Sequence, residues 1–108
     1  YSIVAESEQR EVVWTRAALA DLRDIYEFNI PLQGEEKAFE LVEHIRQKAE
    51  TLYQPVIGSS RFISRRHPER NYQKLVITPY LLIFRQVGKV VFVNRIFDSR
   101  QDPSKLNI

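Results

Sequence analysis

Tyr72-Gln-Lys-Leu-Val-Ile-Thr-Pro-Tyr-Leu-Leu-Ile-Phe-Arg-Gln-Val-Gly-Lys-Val-Val-Phe-Val-Asn-Arg-Ile-Phe97 is three β-rich runs divided by two turn signals. Thr78-Pro79 makes the first break, because proline fixes φ and has no N–H for a ladder. Val87-Gly88 makes the second, because glycine adopts positive φ without penalty. Short runs of Val, Ile, Leu, Phe and Tyr favour strands. The stretch therefore reads as an antiparallel meander with strands over 72–77, 80–86 and 90–97. Two-residue turns would put Leu75, Ile77, Tyr80, Leu82, Phe84, Val91, Val93 and Arg95 on one face. The other face would carry Lys74, Val76, Leu81, Ile83, Arg85, Val90, Phe92, Asn94 and Ile96. A one-residue slip exchanges the faces of a strand. The runs are nearly continuous in apolar residues, which calls for cover on both sides of the sheet.

Upstream, Glu11-Val-Val-Trp-Thr reads as a first strand, with Thr15 as the N-cap of a helix. Ala18, Leu19, Leu22, Ile25 and Tyr26 recur at three- and four-residue spacing and form one apolar helix face. Pro31 is expected to end this helix, with Gly34 in the connection. A second helix spans about 35–53, with Ala38, Leu41, Val42, Ile45, Ala49 and Leu52 as its buried stripe. Glu35 and Glu36 suit the positive end of its dipole. So short a connection makes the helices an antiparallel hairpin, and neither can bury its stripe without the sheet. Pro55 and Gly58 stop the second helix. The segment from Ser59 to Asn71 is strand, then loop, anchored by Phe62 and Ile63. The expected class is α+β, in the order β-α-α-β-β-β-β: an N-terminal strand, then a helix hairpin on one face of a mainly antiparallel, twisted sheet.

At 108 residues the chain is one domain, 1–108, with residues 1–10 read as an arm or tag remnant and 98–108 as a C-terminal tail. It has no cysteine, which excludes disulfides and thiolate metal sites. No apolar run approaches the ~18 residues of a membrane span, and the N-terminus lacks a secretory pattern, so a cytoplasmic location is expected. Charge is uneven: residues 51–108 hold ten Lys/Arg against three Asp/Glu, and residues 16–50 hold five against eight. A basic half beside an acidic helical half suits an acidic partner, either nucleic acid or an acidic protein segment.

The chemistry-bearing residues are basic and aromatic. His44 and His67 have no metal-ligand spacing, no phosphate-binding glycine loop exists, and nothing calls for a metal or cofactor. What remains is Arg61, Arg65, Arg66, Tyr72, Lys74, Tyr80, Arg85, Arg95 and Arg100. Arginine forks take phosphates or carboxylates, and aromatic rings stack or anchor. Arg85 and Arg95 lie inside apolar strands, where an unpaired charge is costly, so each needs a partner. Asp98 is the internal candidate for Arg95; a ligand or partner protein is the external one.

Val12-Val-Trp-Thr, Ala17-Ala-Leu-Ala-Asp-Leu, Ile25-Tyr, Leu41-Val-Glu-His-Ile-Arg, the Tyr72 and Tyr80 runs and Val91-Phe-Val-Asn-Arg-Ile-Phe-Asp-Ser-Arg-Gln-Asp-Pro together resemble the RelE/ParE toxin superfamily of type II toxin–antitoxin modules, on its ParE-like side. The resemblance covers about 11–105. It implies two helices on one face of a twisted sheet, with the first strand beside the meander. It also implies a cognate antitoxin that wraps the toxin with a helix and an extended segment. ParE-like members inhibit growth and stabilise plasmids by binding DNA gyrase. RelE-like members are ribosome-dependent mRNA endonucleases, and for that alternative the catalytic set would be Lys74, Arg85, Arg95 and Arg100. A non-toxic binding module of the same fold is a second alternative. RelE-type enzymes tend to have an arginine after the tyrosine that opens the penultimate strand, and a tyrosine or histidine near the C-terminus. Here Tyr80 precedes Leu81 and neither residue type follows Phe97, which favours protein binding over RNA cleavage.

Overall fold

The computed structural model describes residues 10–54, 59–102 and 108. Residues 1–9 of the expected arm (1–10), Pro55 and Gly58, and residues 103–107 of the expected tail (98–108) lie outside the described residues. The order is β1 (Glu11–Trp14), α1 (Arg16–Gln33), α2 (Glu35–Glu50), a 3-10 turn (Thr51–Tyr53), β2 (Ser60–Phe62), β3 (Tyr72–Ile77), β4 (Tyr80–Val87) and β5 (Val90–Asp98). The sheet order is β1-β5-β4-β3-β2. β1 runs parallel to β5 and every other pair is antiparallel. The helix hairpin therefore carries the chain from one edge strand to the other. This is the α+β class expected from the sequence.

Both meander turns contain two residues, since Ile77 faces Tyr80 and Val87 faces Val90. One correction follows from β5. Phe84 pairs with Val93 while Ile83 pairs with Arg95, so Asn94 is an extra residue that opens a β-bulge. The bulge resets the alternation after Val93. Ile96, expected on the outer face, enters the helix-side core at 4% exposure, and Arg95 is excluded from it. The physical reason is burial: strict alternation would have placed a guanidinium in the apolar core beneath the helices and a large aliphatic chain in water.

The core joins Ala18, Ile45, Ala49 and Leu52 to Ile77, Tyr80, Leu82, Phe84, Val91, Val93 and Ile96. Each fully buried aliphatic side chain contributes about 1.5–3 kcal/mol of transfer free energy. A smaller cluster on the helix-free face joins Tyr72, Ile83 and Phe97, with Phe62, Leu81 and Ile108 against it. Ile63 does not anchor the loop as expected; it is 67% exposed, because β2 ends at Phe62.

Thr15 caps α1, accepting from the Ala18 N–H at 3.2 Å. Pro31 does not terminate this helix; it sits inside its last turn. Its missing N–H removes one bond, but only two helical residues follow, so little of the ladder is lost. The stop is Gly34, with φ 93° and ψ 159°, a backbone conformation open essentially to glycine. Its N–H closes on the Ile30 carbonyl at 2.9 Å, and α2 begins at the next residue.

Candidate functional site: a groove that continues onto the helix-free face

α1 carries more apolar residues than one core stripe requires. Phe28 and Leu32, one turn apart, are 65% and 67% exposed. They form one wall of a groove of about 700 Å³ against the second half of β5, with Ile25, Tyr80, Ile96 and Phe97 contributing to its lining. The groove exists because β1 pairs only with Val90–Val93, leaving the rest of β5 without a strand neighbour on that side.

Asp21 closes the inner end. Its carboxylate accepts from Arg95 Nε at 2.7 Å and Nη2 at 3.0 Å, and from the Ile96 N–H at 2.9 Å. Both partners are largely buried, with side-chain exposures of 23% for Arg95 and 14% for Asp21. The hydrogen bonds that Arg95 donates to Asp21 hold its pKa above its ordinary value. Asp21 thus replaces a neighbouring strand at the bulge. Thr15 completes the arrangement, its hydroxyl lying 2.9 and 3.0 Å from the Val93 and Asn94 carbonyl oxygens, between which its one proton is shared.

At the outer end, Arg100 donates to Asp98 from Nη2 at 2.7 Å and Nε at 3.0 Å. Those bonds hold the Asp98 carboxyl below its ordinary range. A depressed carboxyl pKa stabilises the fold at neutral pH, an effect lost as pH falls through the lowered value. Here it is small, because the Arg100 side chain is 67% exposed. Asp98 is therefore the partner of Arg100 and not, as expected, of Arg95.

Phe97 connects this groove to the helix-free face, since it lines the one and packs with Tyr72 and Ile83 on the other. On that face Arg85, half-buried, pairs laterally with Tyr72 on one side and Phe92 on the other. Among the described residues, no carboxylate or hydrogen-bond acceptor reaches Arg85. Lys74, opposite Ile83, is half-buried one diagonal away and equally unpaired among the described residues. Val76, beside them on the same face, is 62% exposed. The surface is basic and apolar together.

The nine sequence-nominated residues therefore divide. Lys74 and Arg85 share the open sheet face. Arg95 and Arg100 lie along the groove with their charges already matched. Tyr72 and Tyr80 are 2% and 5% exposed, so their rings pack in the interior and are not free to stack on a ligand. Tyr72 keeps a polar role, because its hydroxyl accepts from Arg70 Nη1 at 3.1 Å. Arg61 is exposed on β2, and Arg65 and Arg66 are exposed in the loop before β3, with Arg66 engaged in a contact of its own. Phe28, Leu32 and Asp21 were not nominated. The legible signal for the first two was a surplus of apolar residues on α1; Asp21 had none. Among the described residues no cluster of three or more His, Asp or Glu side chains could hold a metal, and no helix is long and apolar enough to cross a membrane.

Comparison with known proteins agrees with this architecture. The profile of a family described as the ParE toxin of type II toxin–antitoxin systems, parDE, matches residues 12–103. Ten chains of solved structures match. Among them is a chain of a chromosomal ParDE toxin–antitoxin system from P. aeruginosa, 32% identical, with a TM-score of 0.69, covering 85% of this chain and 98% of that one. No curated protein sequence matches.

Proposed function

The chain belongs to the ParE toxin family of type II toxin–antitoxin systems, and we propose that it arrests growth in the cytoplasm by binding a protein target such as DNA gyrase. In the same reading, a cognate antitoxin neutralises it by occupying the groove and the adjoining helix-free face. The observation that carries the protein-binding reading is the division of the cationic residues. RNA cleavage needs general acid–base groups and charge stabilisers converging on one phosphate. Arg95 is committed to Asp21 and Arg100 to Asp98, which leaves Lys74 and Arg85, among the described residues, with no carboxylate or histidine paired to them.

The antitoxin assignment rests on matching chemistry. A helix laid against Phe28 and Leu32 would bury their exposed surface, and an extended acidic segment would supply the carboxylate that Arg85 lacks. Such a segment orders on binding and uses apolar contact plus charge to offset the entropy lost. Supercoiling assays with purified gyrase test the target: inhibition at micromolar protein supports the reading, and no inhibition removes gyrase from it. Messenger RNA cut on ribosomes during expression would instead favour an endonuclease built on Lys74 and Arg85. Growth arrest relieved by co-expression of the adjacent gene product tests the module itself.

A further inference from the structure

A separate cleft of about 260 Å³ opens where the first turn of α1 meets the loop before β3. Arg66, His67 and Arg70 of that loop line it, together with Ala17 of α1 and Asn94 at the bulge of β5. Arg95 also reaches it, with its charge matched by Asp21. The loop is fixed from below. Ser64, 1% exposed, accepts from the His67 N–H at 2.9 Å. The Arg70 N–H closes on the His67 carbonyl at 3.0 Å, and Arg70 Nη1 donates to the hydroxyl of the buried Tyr72 at 3.1 Å. His67 and Arg70 are thus held in position before a partner arrives.

The carboxylate beside them is held loosely. Glu69 Oε2 stands 3.5 Å from His67 Nδ1 and 4.0 Å from Arg70 Nε, beyond good hydrogen-bond length, and its side chain is 68% exposed. Arg95 and Arg100, by contrast, meet their carboxylates at 2.7 Å. Arg66 is engaged in a contact of its own, so His67 and Arg70 carry the capacity of this wall. The first turn of α1 adds to it. Thr15 Oγ1 takes the Ala18 N–H, while the Ala17 N–H has no acceptor within the helix and lies at the positive end of its dipole. Asn94 has the opposite need: its buried Oδ1 has no hydrogen-bond partner among the described residues. With a turn of the amide about χ2, a backbone N–H brought into the cleft would supply that donor, which a phosphate does not have. The two tyrosine rings of this sheet are buried and offer no stacking platform for bases. These features suit a peptide carboxylate better than a nucleic acid.

We propose that this cleft is a carboxylate socket, in which His67, Arg70 and the first turn of α1 bind an acidic side chain of the antitoxin's extended segment and displace Glu69. The proposal rests on the antitoxin reading above and gives that segment a second anchoring point. Tyr72 links the two points, because it pairs with Arg85 on β4 and its hydroxyl meets Arg70. An extended segment crossing the helix-free face would set one carboxylate on Arg85 and another, a few residues along, in the socket.

Titration of the isotope-labelled full chain with a blocked hexaglutamate peptide, followed by NMR, tests the socket without the antitoxin. The amide signals of Ala17, His67 and Arg70 should shift to saturation. Arg70→Gln should weaken binding at least about tenfold, and His67→Gln is the second variant should Arg70→Gln lower the melting temperature. Glu69→Gln should tighten binding about threefold, because it removes an exposed internal competitor; partial unfolding cannot produce a gain. The same variants are then titrated with the antitoxin, the product of the adjacent gene, and should change its affinity in the same directions. Signals that hexaglutamate leaves unmoved, or an affinity unchanged in both Arg70→Gln and Glu69→Gln, overturn the proposal. So does a uridine hexanucleotide that shifts these signals more strongly than hexaglutamate, which would assign the cleft to nucleic acid. Antitoxin affinity that falls in Arg85→Ala but holds in Arg70→Gln and His67→Gln overturns the socket and leaves the antitoxin reading standing. An adjacent gene product that does not bind the parent chain overturns both.

Discussion

Asp21 carries more of the local architecture than its position on an amphipathic helix suggests. Its carboxylate holds the Arg95 fork and the Ile96 N–H together, so it neutralises a largely buried cation and ends a strand edge at once. Asp21→Asn keeps an acceptor for the Ile96 N–H but strands the Arg95 charge. The expected loss is about 2 kcal/mol. A melting-temperature drop of roughly 10 °C would register it; a drop under roughly 2 °C would show that the pair does not hold the bulge. Arg85 presents the converse case. With no acceptor among the described residues, Arg85→Ala should leave thermal stability within about 0.5 kcal/mol of the parent. It should weaken antitoxin binding at least about tenfold, a change of about 1.4 kcal/mol in a titration. Loss of stability with full affinity would mean that the guanidinium serves the fold and not a partner.

At the scale of elements, the hairpin depends on a single residue. Gly34 is the whole connection between α1 and α2, and its backbone conformation excludes a Cβ energetically although nothing lies within 4 Å of where one would stand. Gly34→Ala should therefore cost about 1–3 kcal/mol from backbone strain alone. Gly88, at φ 62°, lies in the left-handed region that asparagine also enters, so Gly88→Asn should cost well under ~1 kcal/mol. Chemical denaturation of the two variants side by side checks both, and equal midpoints would remove the special status of Gly34. The strands and helices themselves were legible from periodicity, including Ala38, Val42, Ile45 and Ala49 of the α2 stripe, with Leu41 half-buried and Leu52 buried in the 3-10 turn beyond it. Pro31 was misleading, because proline near a helix end removes too little of the ladder to stop it. Asn94 was illegible as a bulge: an extra residue leaves no mark of its own in an apolar run, and only the pairing of β5 with β4 shows that Arg95 and Ile96 have exchanged environments.

Over the whole molecule, charge and shape divide the surface. The sheet half is basic and the helix half acidic, and the open apolar area falls into a groove and a hairpin seam on opposite sides of α1. Antitoxin affinity through Lys74 and Arg85 should fall as salt rises from about 0.05 to 0.5 M, because the Debye length shortens over that range. Affinity independent of salt would indicate that burial of Phe28 and Leu32 dominates recognition.

The sequence alone determined the class, the element order, the positions of both meander turns and the helix-side core as far as Val93, because these follow from hydrophobic period and turn chemistry, which act over a few residues. It also limited the functional chemistry to arginine, lysine and apolar surface. The pairing of the cations was decided only by tertiary structure. Asp21 is 74 residues from Arg95, and no local pattern encodes a contact at that separation. The groove likewise depends on β1 ending short of β5, a matter of register between strands from opposite ends of the chain. Among the described residues Arg85 has no partner for the same reason: whether a charge is matched depends on what the fold brings beside it.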